Sequence, residues 1–204
     1  MNIGDKKYYE NYARISLIEI YNKNLINAKL KDKPDIQDEI NNIGIEVTRS
    51  ELKNECIASS ITNKFFGKNL SLSELELCIK RDFKTFDGAI GEIDGVNYIS
   101  PSKGMIDYRV KIDKIVASII KKAKKFEKNY TKFKENDLYI FTVDSCITYS
   151  DIEKVMENEA IKKCPFDNIF INCIDKIYIC NKRNIKEIKI SSVQLRKFKK
   201  EAIN

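Results

Sequence analysis

KPDIQDEINNIGIEVTRS, residues Lys33 to Ser50, reads as a β-hairpin with two acids at mirrored positions. The segment Glu39-Ile40-Asn41-Asn42 ends in turn-prone asparagines, and short isoleucine-rich runs flank it. With those four residues as the loop, Asp35 faces Glu46 and Ile36 faces Ile45. Period-2 alternation then keeps Val47 with the isoleucines. One face of the ribbon is apolar, and the other carries both carboxylates. Opposed side chains have Cβ atoms about 4.5–5.5 Å apart, where like charges repel unless something positive lies between them. A divalent cation is the natural expectation. The alternative is an exposed hairpin whose two acids stand in water.

Pro34-Asp35 followed by Gly44-Ile45-Glu46-Val47-Thr48 resembles the signature of the PD-(D/E)XK (restriction-endonuclease-like) nucleases. In that family an Asp and an acid-x-Lys on adjacent strands hold Mg²⁺. The resemblance is close over the hairpin and looser over residues 8–143. It implies Asp35 and Glu46 as ligands of Mg²⁺ (or Mn²⁺), and a helix-one glutamate as a third, for which Glu10 and Glu19 are both available. Glu10, beside Tyr9 at the edge of the core stripe, is the expected one. The chain departs from the pattern where the family has lysine, because Thr48 stands there. Catalysis then needs a lysine from another element. Lys122, at the margin of the core stripe of a later helix, is the expected substitute; Lys125, Lys103 and Arg49 are weaker placements. Gln37 alternates onto the face of Asp35, where it can order a water or remain a surface amide.

Composition excludes other chemistries. The 204 residues contain no histidine, which removes Ser-His-Asp and Cys-His hydrolases and imidazole acid–base catalysis. The seven glycines form neither G-x-G-x-x-G nor a P-loop. The six cysteines have no C-x-x-C pair, so they are expected to be reduced structural thiols rather than zinc ligands. The amino-terminal residues are charged, and no apolar run approaches membrane-spanning length, so the expectation is a cytoplasmic protein with no membrane partner.

The net charge of +7 is concentrated. Residues 111–134 hold nine lysines against Asp113 and Glu127, and Arg196, Lys197, Lys199 and Lys200 follow near the end. Such clusters suit a phosphate backbone, whose condensed counterions they release. They also suit plain solvated helix faces. Lys121, Lys122 and Lys125 are the expected nucleic-acid contacts.

Hydrophobic periodicity predicts helices over 8–22, 51–66, 71–86 (capped by Ser71-x-x-Glu74), about 109–134, and from Ser150-x-x-Glu153 to before Pro165. Gly67 is the expected C-cap of the second, with Cys56, Ile57, Ile61 and Phe65 inward. Strands are predicted at 138–143, 168–174 and 177–180, and KEIKI precedes a terminal basic helix. Asp94-Gly95 marks a second hairpin. The order is α/β: a mixed central sheet flanked by helices, compatible with an αβββαβ core if one core strand is short. The chain reads as one domain, 1–204, with residues 67–110 as a helix-plus-hairpin insertion. Three functions fit: a metal-dependent nuclease, a catalytically inactive nucleic-acid- or protein-binding module on the same fold, or an unrelated small protein such as an antitoxin or immunity partner.

Overall fold

The computed structural model describes residues 6–50, 53–65, 68, 70–93, 95–100, 108–142 and 146–203. It divides into two compact units, one of residues 1–50 with 111–204 and one of residues 51–110. The second takes in the helix expected over 51–66 as well as the stretch expected to be inserted.

The first unit is built on a seven-stranded mixed sheet. In chain order its elements are α1 (Lys6–Ile20), β1 (Lys29–Leu30), β2 (Ile36–Asp38) and β3 (Ile43–Arg49), then α4 (Tyr108–Asn129) and β6 (Glu135–Phe141). There follow α5 (Tyr149–Glu157), α6 (Glu159–Lys162), β7 (Asn168–Asn172), β8 (Lys176–Asn181), β9 (Ile185–Lys189) and α7 (Ser192–Ile203). The strand order is β1-β2-β3-β6-β7-β8-β9. The centre, β3-β6-β7, is parallel, and both flanks are antiparallel.

Both faces of this sheet are covered, which is why β6 reads as one continuous apolar run rather than an alternating one. Tyr139 and Phe141 point into a core with Tyr12 and Leu17 of α1 and Phe198 of α7. Leu138 and Ile140 point into a second core with Ile115 and Ile119 of α4 and Ile152 and Val155 of α5. Burying one such side chain contributes roughly 1.5–3 kcal/mol, so these two layers carry most of the unit's stability. Among the described residues no helix is long and apolar enough to cross a membrane.

The second unit contains α2 (Lys53–Phe65), α3 (Leu72–Asp82) and the ribbon β4 (Ala89–Ile93) with β5 (Val96–Ser100). Ile61, Leu75 and Ile79 are its buried centre. Gly95 joins the ribbon strands with φ +75°, the left-handed conformation that glycine takes without steric cost. Gly67, Asp94, Lys103, Val143 and the Cys56 side chain lie outside the described residues.

The boundaries differ from expectation where polar side chains intercept the backbone. Helix α1 stops at Ile20 because the Asn22 side chain accepts from Asn24 N and opens a 3₁₀ turn over Lys23–Asn27. Helix α4 stops at Asn129, not 134. The next residues are tied down instead, Thr131 N to Lys33 O at 3.2 Å and Lys134 N to the Asn42 side chain at 2.9 Å. Helix α3 carries the expected Ser71–Glu74 capping box but ends at Asp82. The box that opens α5 is Thr148 with Asp151, two residues before the expected Ser150–Glu153 pair, and Asn158 interrupts the helix by capping α6.

The hairpin has the expected four-residue loop and register, Ile36 to Ile45 and Asp38 to Ile43. Gly44 occupies the carboxylate face of β3 beneath two rings. A Cβ there would lie 2.5 Å from Phe133 Cδ2 and 2.8 Å from Pro34 Cγ. Neither rigid ring can yield that much, so Gly44→Ala should destabilise the protein by about 1–3 kcal/mol. A denaturant midpoint unchanged from wild type would show the hairpin to be more loosely held than this packing implies.

Candidate active site

Continuing the Ile36–Ile45 register by one residue sets Asp35 against Glu46. Both are almost wholly buried, Asp35 at 2% and Glu46 at 3% exposure, and α1 adds Glu10 at 5%. The alternative of an exposed hairpin with both acids in water is therefore excluded. Three buried carboxyl groups meet at the junction of α1, the hairpin and α4.

Each acid is held by a different kind of donor. Asp35 Oδ2 accepts from Val47 N at 2.9 Å, which fixes the carboxylate against the partner strand just where the ladder ends. Asp35 Oδ1 lies 2.9 Å from the Lys6 ammonium, and Glu10 Oε1 lies 3.1 Å from the same nitrogen. Lys6 and Glu10 are one helical turn apart, the spacing at which side chains on α1 meet. Glu46 Oε1 accepts from Tyr130 OH at 2.7 Å and from the Lys122 ammonium, which also donates to Val47 O at 3.3 Å. Lys122 is thus brought onto Glu46 from α4, across 76 positions of sequence.

The electrostatics follow from burial. Desolvation lifts the Glu46 carboxyl above its ordinary value of 4.5, the Asp35 charge adds to the shift, and Lys122 and Tyr130 oppose it. Glu10 is raised in the same way, by burial and then by Asp35, against the pull of Lys6. Lys6 itself is raised, chiefly by its hydrogen bond to Asp35. Asp35 therefore acts on both neighbours and is the electrostatic centre of the three.

Two oxygens are left over. Glu10 Oε1 and Glu46 Oε2 are buried without a hydrogen bond, the former despite its ion-pair distance to Lys6. Carboxylate oxygens left without a donor are the kind of ligand that a hard cation such as Mg²⁺ prefers. Among the described residues, though, no group of three or more Asp, Glu, Cys or His side chains is gathered closely enough to hold a metal as it stands. A cleft of about 220 Å³ lined by Lys6, Tyr9, Glu10, Val47, Thr48 and Arg49 adjoins the acids. The Arg49 guanidinium lies 4.8 Å over the Tyr9 ring there.

Other expected residues go elsewhere. Gln37 is not a surface amide; it is buried, and its Nε2 donates to Pro34 O at 3.0 Å and Asp32 O at 3.2 Å, bracing the turn before Asp35. Glu19 binds Lys197 and Gln194 and ties α1 to α7. Lys121 and Lys125 are exposed on α4. Two members of the site were not foreseen. Lys6 was legible as the partner of Glu10 four residues on, whereas Tyr130, just past the end of α4, packs its ring against the core under that helix and turns its hydroxyl to Glu46. A scan against protein-family models finds no match, and searches of curated proteins and of solved structures find none either.

Tyr130→Phe removes one donor from a buried carboxylate, which should destabilise the protein by roughly 1.5–3 kcal/mol at pH 7–8. A raised carboxyl pKa means that the folded state binds the proton more tightly, so its contribution weakens as pH rises through the folded value. Tyr130→Phe raises Glu46 further. The gap between variant and wild type should therefore be largest above neutrality and shrink as pH falls towards 4.5. Melting curves at several pH values measure this; a pH-independent gap would mean that Tyr130 acts only by packing.

Proposed function

We propose that this protein is a metal-dependent nuclease of the PD-(D/E)XK kind, hydrolysing phosphodiester bonds of DNA or RNA. The observation that carries the reading is the Lys122 ammonium on Glu46, delivered from α4 to the acid whose own strand has Thr48 where the family has lysine. The run α1, β1, β2, β3, α4, β6, with a two-residue β1, supports an αβββαβ core of restriction-endonuclease-like type.

Asp35 and Glu46, with Glu10, are the residues that would hold Mg²⁺ or Mn²⁺. Bound there, the cation would neutralise phosphate charge and acidify a water molecule. The remaining work belongs to the chain. Lys122 offers a fixed ammonium to the negative charge that develops during attack on phosphorus. Tyr130 and the Val47 N–H hold the Glu46 and Asp35 carboxylates in place. Lys121 and Lys125, exposed on the helix that carries Lys122, would meet the phosphate backbone.

A second reading is a catalytically silent nucleic-acid- or protein-binding module. It is favoured by Thr48 and by the two ammonium groups, Lys6 and Lys122, that already lie against all three acids.

Asp35→Asn and Glu46→Gln should each lower cleavage of DNA or RNA in Mg²⁺ or Mn²⁺ by about 10²-fold or more, and Lys122→Ala by a similar factor. Lys121→Glu with Lys125→Glu should instead weaken nucleic-acid binding and flatten its salt dependence. Because Glu10 and Glu46 hold protons more tightly than usual, Mn²⁺ affinity should fall as pH is lowered from 8 towards 5. Wild-type protein that binds nucleic acid but cleaves no substrate with either metal would select the silent module.

A further inference from the structure

We infer that Lys6 is a resident counter-cation that competes with a divalent metal for Glu10 and Asp35, and so sets the metal concentration at which the site fills. The inference rests on the metal-binding reading above and concerns which residue tunes that site.

The asymmetry of the contact carries it. The Lys6 side chain is 69% exposed, yet its nitrogen sits 3.1 Å from Glu10 Oε1 and 2.9 Å from Asp35 Oδ1, whose side chains are 7% and 3% exposed. The acids are locked in, while the ammonium reaches them from the surface. Negative charges on Glu10 and Asp35 would repel across a desolvated gap, and a cation seated between their oxygens offsets that repulsion. An ammonium does this with one unit of charge and directional donors; a divalent ion does it with two and prefers carboxylate oxygen. The two cannot occupy the same space.

Lys6 also has somewhere to go. The cleft of about 220 Å³ is lined by Lys6 itself together with Glu10, Thr48 and Arg49. As the first residue of α1, Lys6 can vacate the acids by rotating its own flexible stem, leaving the helix in place. Lys122 differs in this respect: its side chain is 17% exposed and bonded to both Glu46 and Val47 O, so it stays as a fixed part of the site.

Titration calorimetry of MnCl₂ into the full chain tests this with wild type, Lys6→Gln, Lys6→Arg, Asp35→Asn and, as a control for lost surface charge, Lys31→Ala. Lys6→Gln should bind Mn²⁺ roughly two- to fivefold tighter than wild type, the scale of one solvent-exposed ion pair no longer opposing the metal. Lys6→Arg should behave as wild type, Lys31→Ala should change Kd little, and Asp35→Asn should lose the site. Without metal, Lys6→Gln should melt below wild type, since nothing then separates the two acids; Mn²⁺ should reverse the deficit. Binding seen only in Lys6→Gln would support the inference in its strongest form. Wild type and Lys6→Gln binding equally, both sensitive to Asp35→Asn, would overturn the inference and leave the metal reading intact. No binding to either protein would overturn both.

Discussion

Three carboxyl groups removed from water within mutual reach will not all stay charged unless positive charge or donors are built around them. That constraint organises this protein's first unit. Asp35 is met by a strand amide and the Lys6 ammonium, Glu46 by Lys122 and Tyr130, and Glu10 by Lys6 from its own helix. The donors come from three separate elements, so the acids can be buried together only once α1, the hairpin and α4 are all in place.

Asp137 shows what a buried acid without such service looks like. It is 1% exposed and accepts from Asn168 N and Nδ2, both at 3.0 Å, with one oxygen unpartnered. No ammonium contacts it among the described residues, and burial followed by the Glu135 charge drives its carboxyl far above the usual range. Asp35 and Glu46, equally buried, each have a lysine ammonium that Asp137 lacks.

The local features were readable from sequence because their rules are local. The hairpin register followed from the spacing of isoleucines and asparagines, and the buried central strand from an apolar run. Glu46 and Asp35 were placed by that register alone. What escaped was set by side chains that act on backbone several residues away: Asn22 ending α1, Asn42 capturing Lys134 N, Thr148 opening α5 before the expected serine. Burial of the acids was equally hidden, since nothing in residues 33–50 says which helices will cover them. Tyr130 lies just past the shortened α4, where its ring stays on the core under that helix and its hydroxyl reaches Glu46.

The chain leaves the first unit after Ser50, just past the strand that carries Glu46, and re-enters it at Lys111, in the first turn of the helix that carries Lys122. Closing a loop becomes only slowly more costly with length, about 0.6 kcal/mol for each doubling. The stretch in between is therefore nearly free to lengthen, shrink or be exchanged without altering the acid and lysine at its borders. Evolution can rewrite what is carried between β3 and α4 while the chemistry on either side is inherited unchanged, and a protein engineer has the same freedom at the same two junctions.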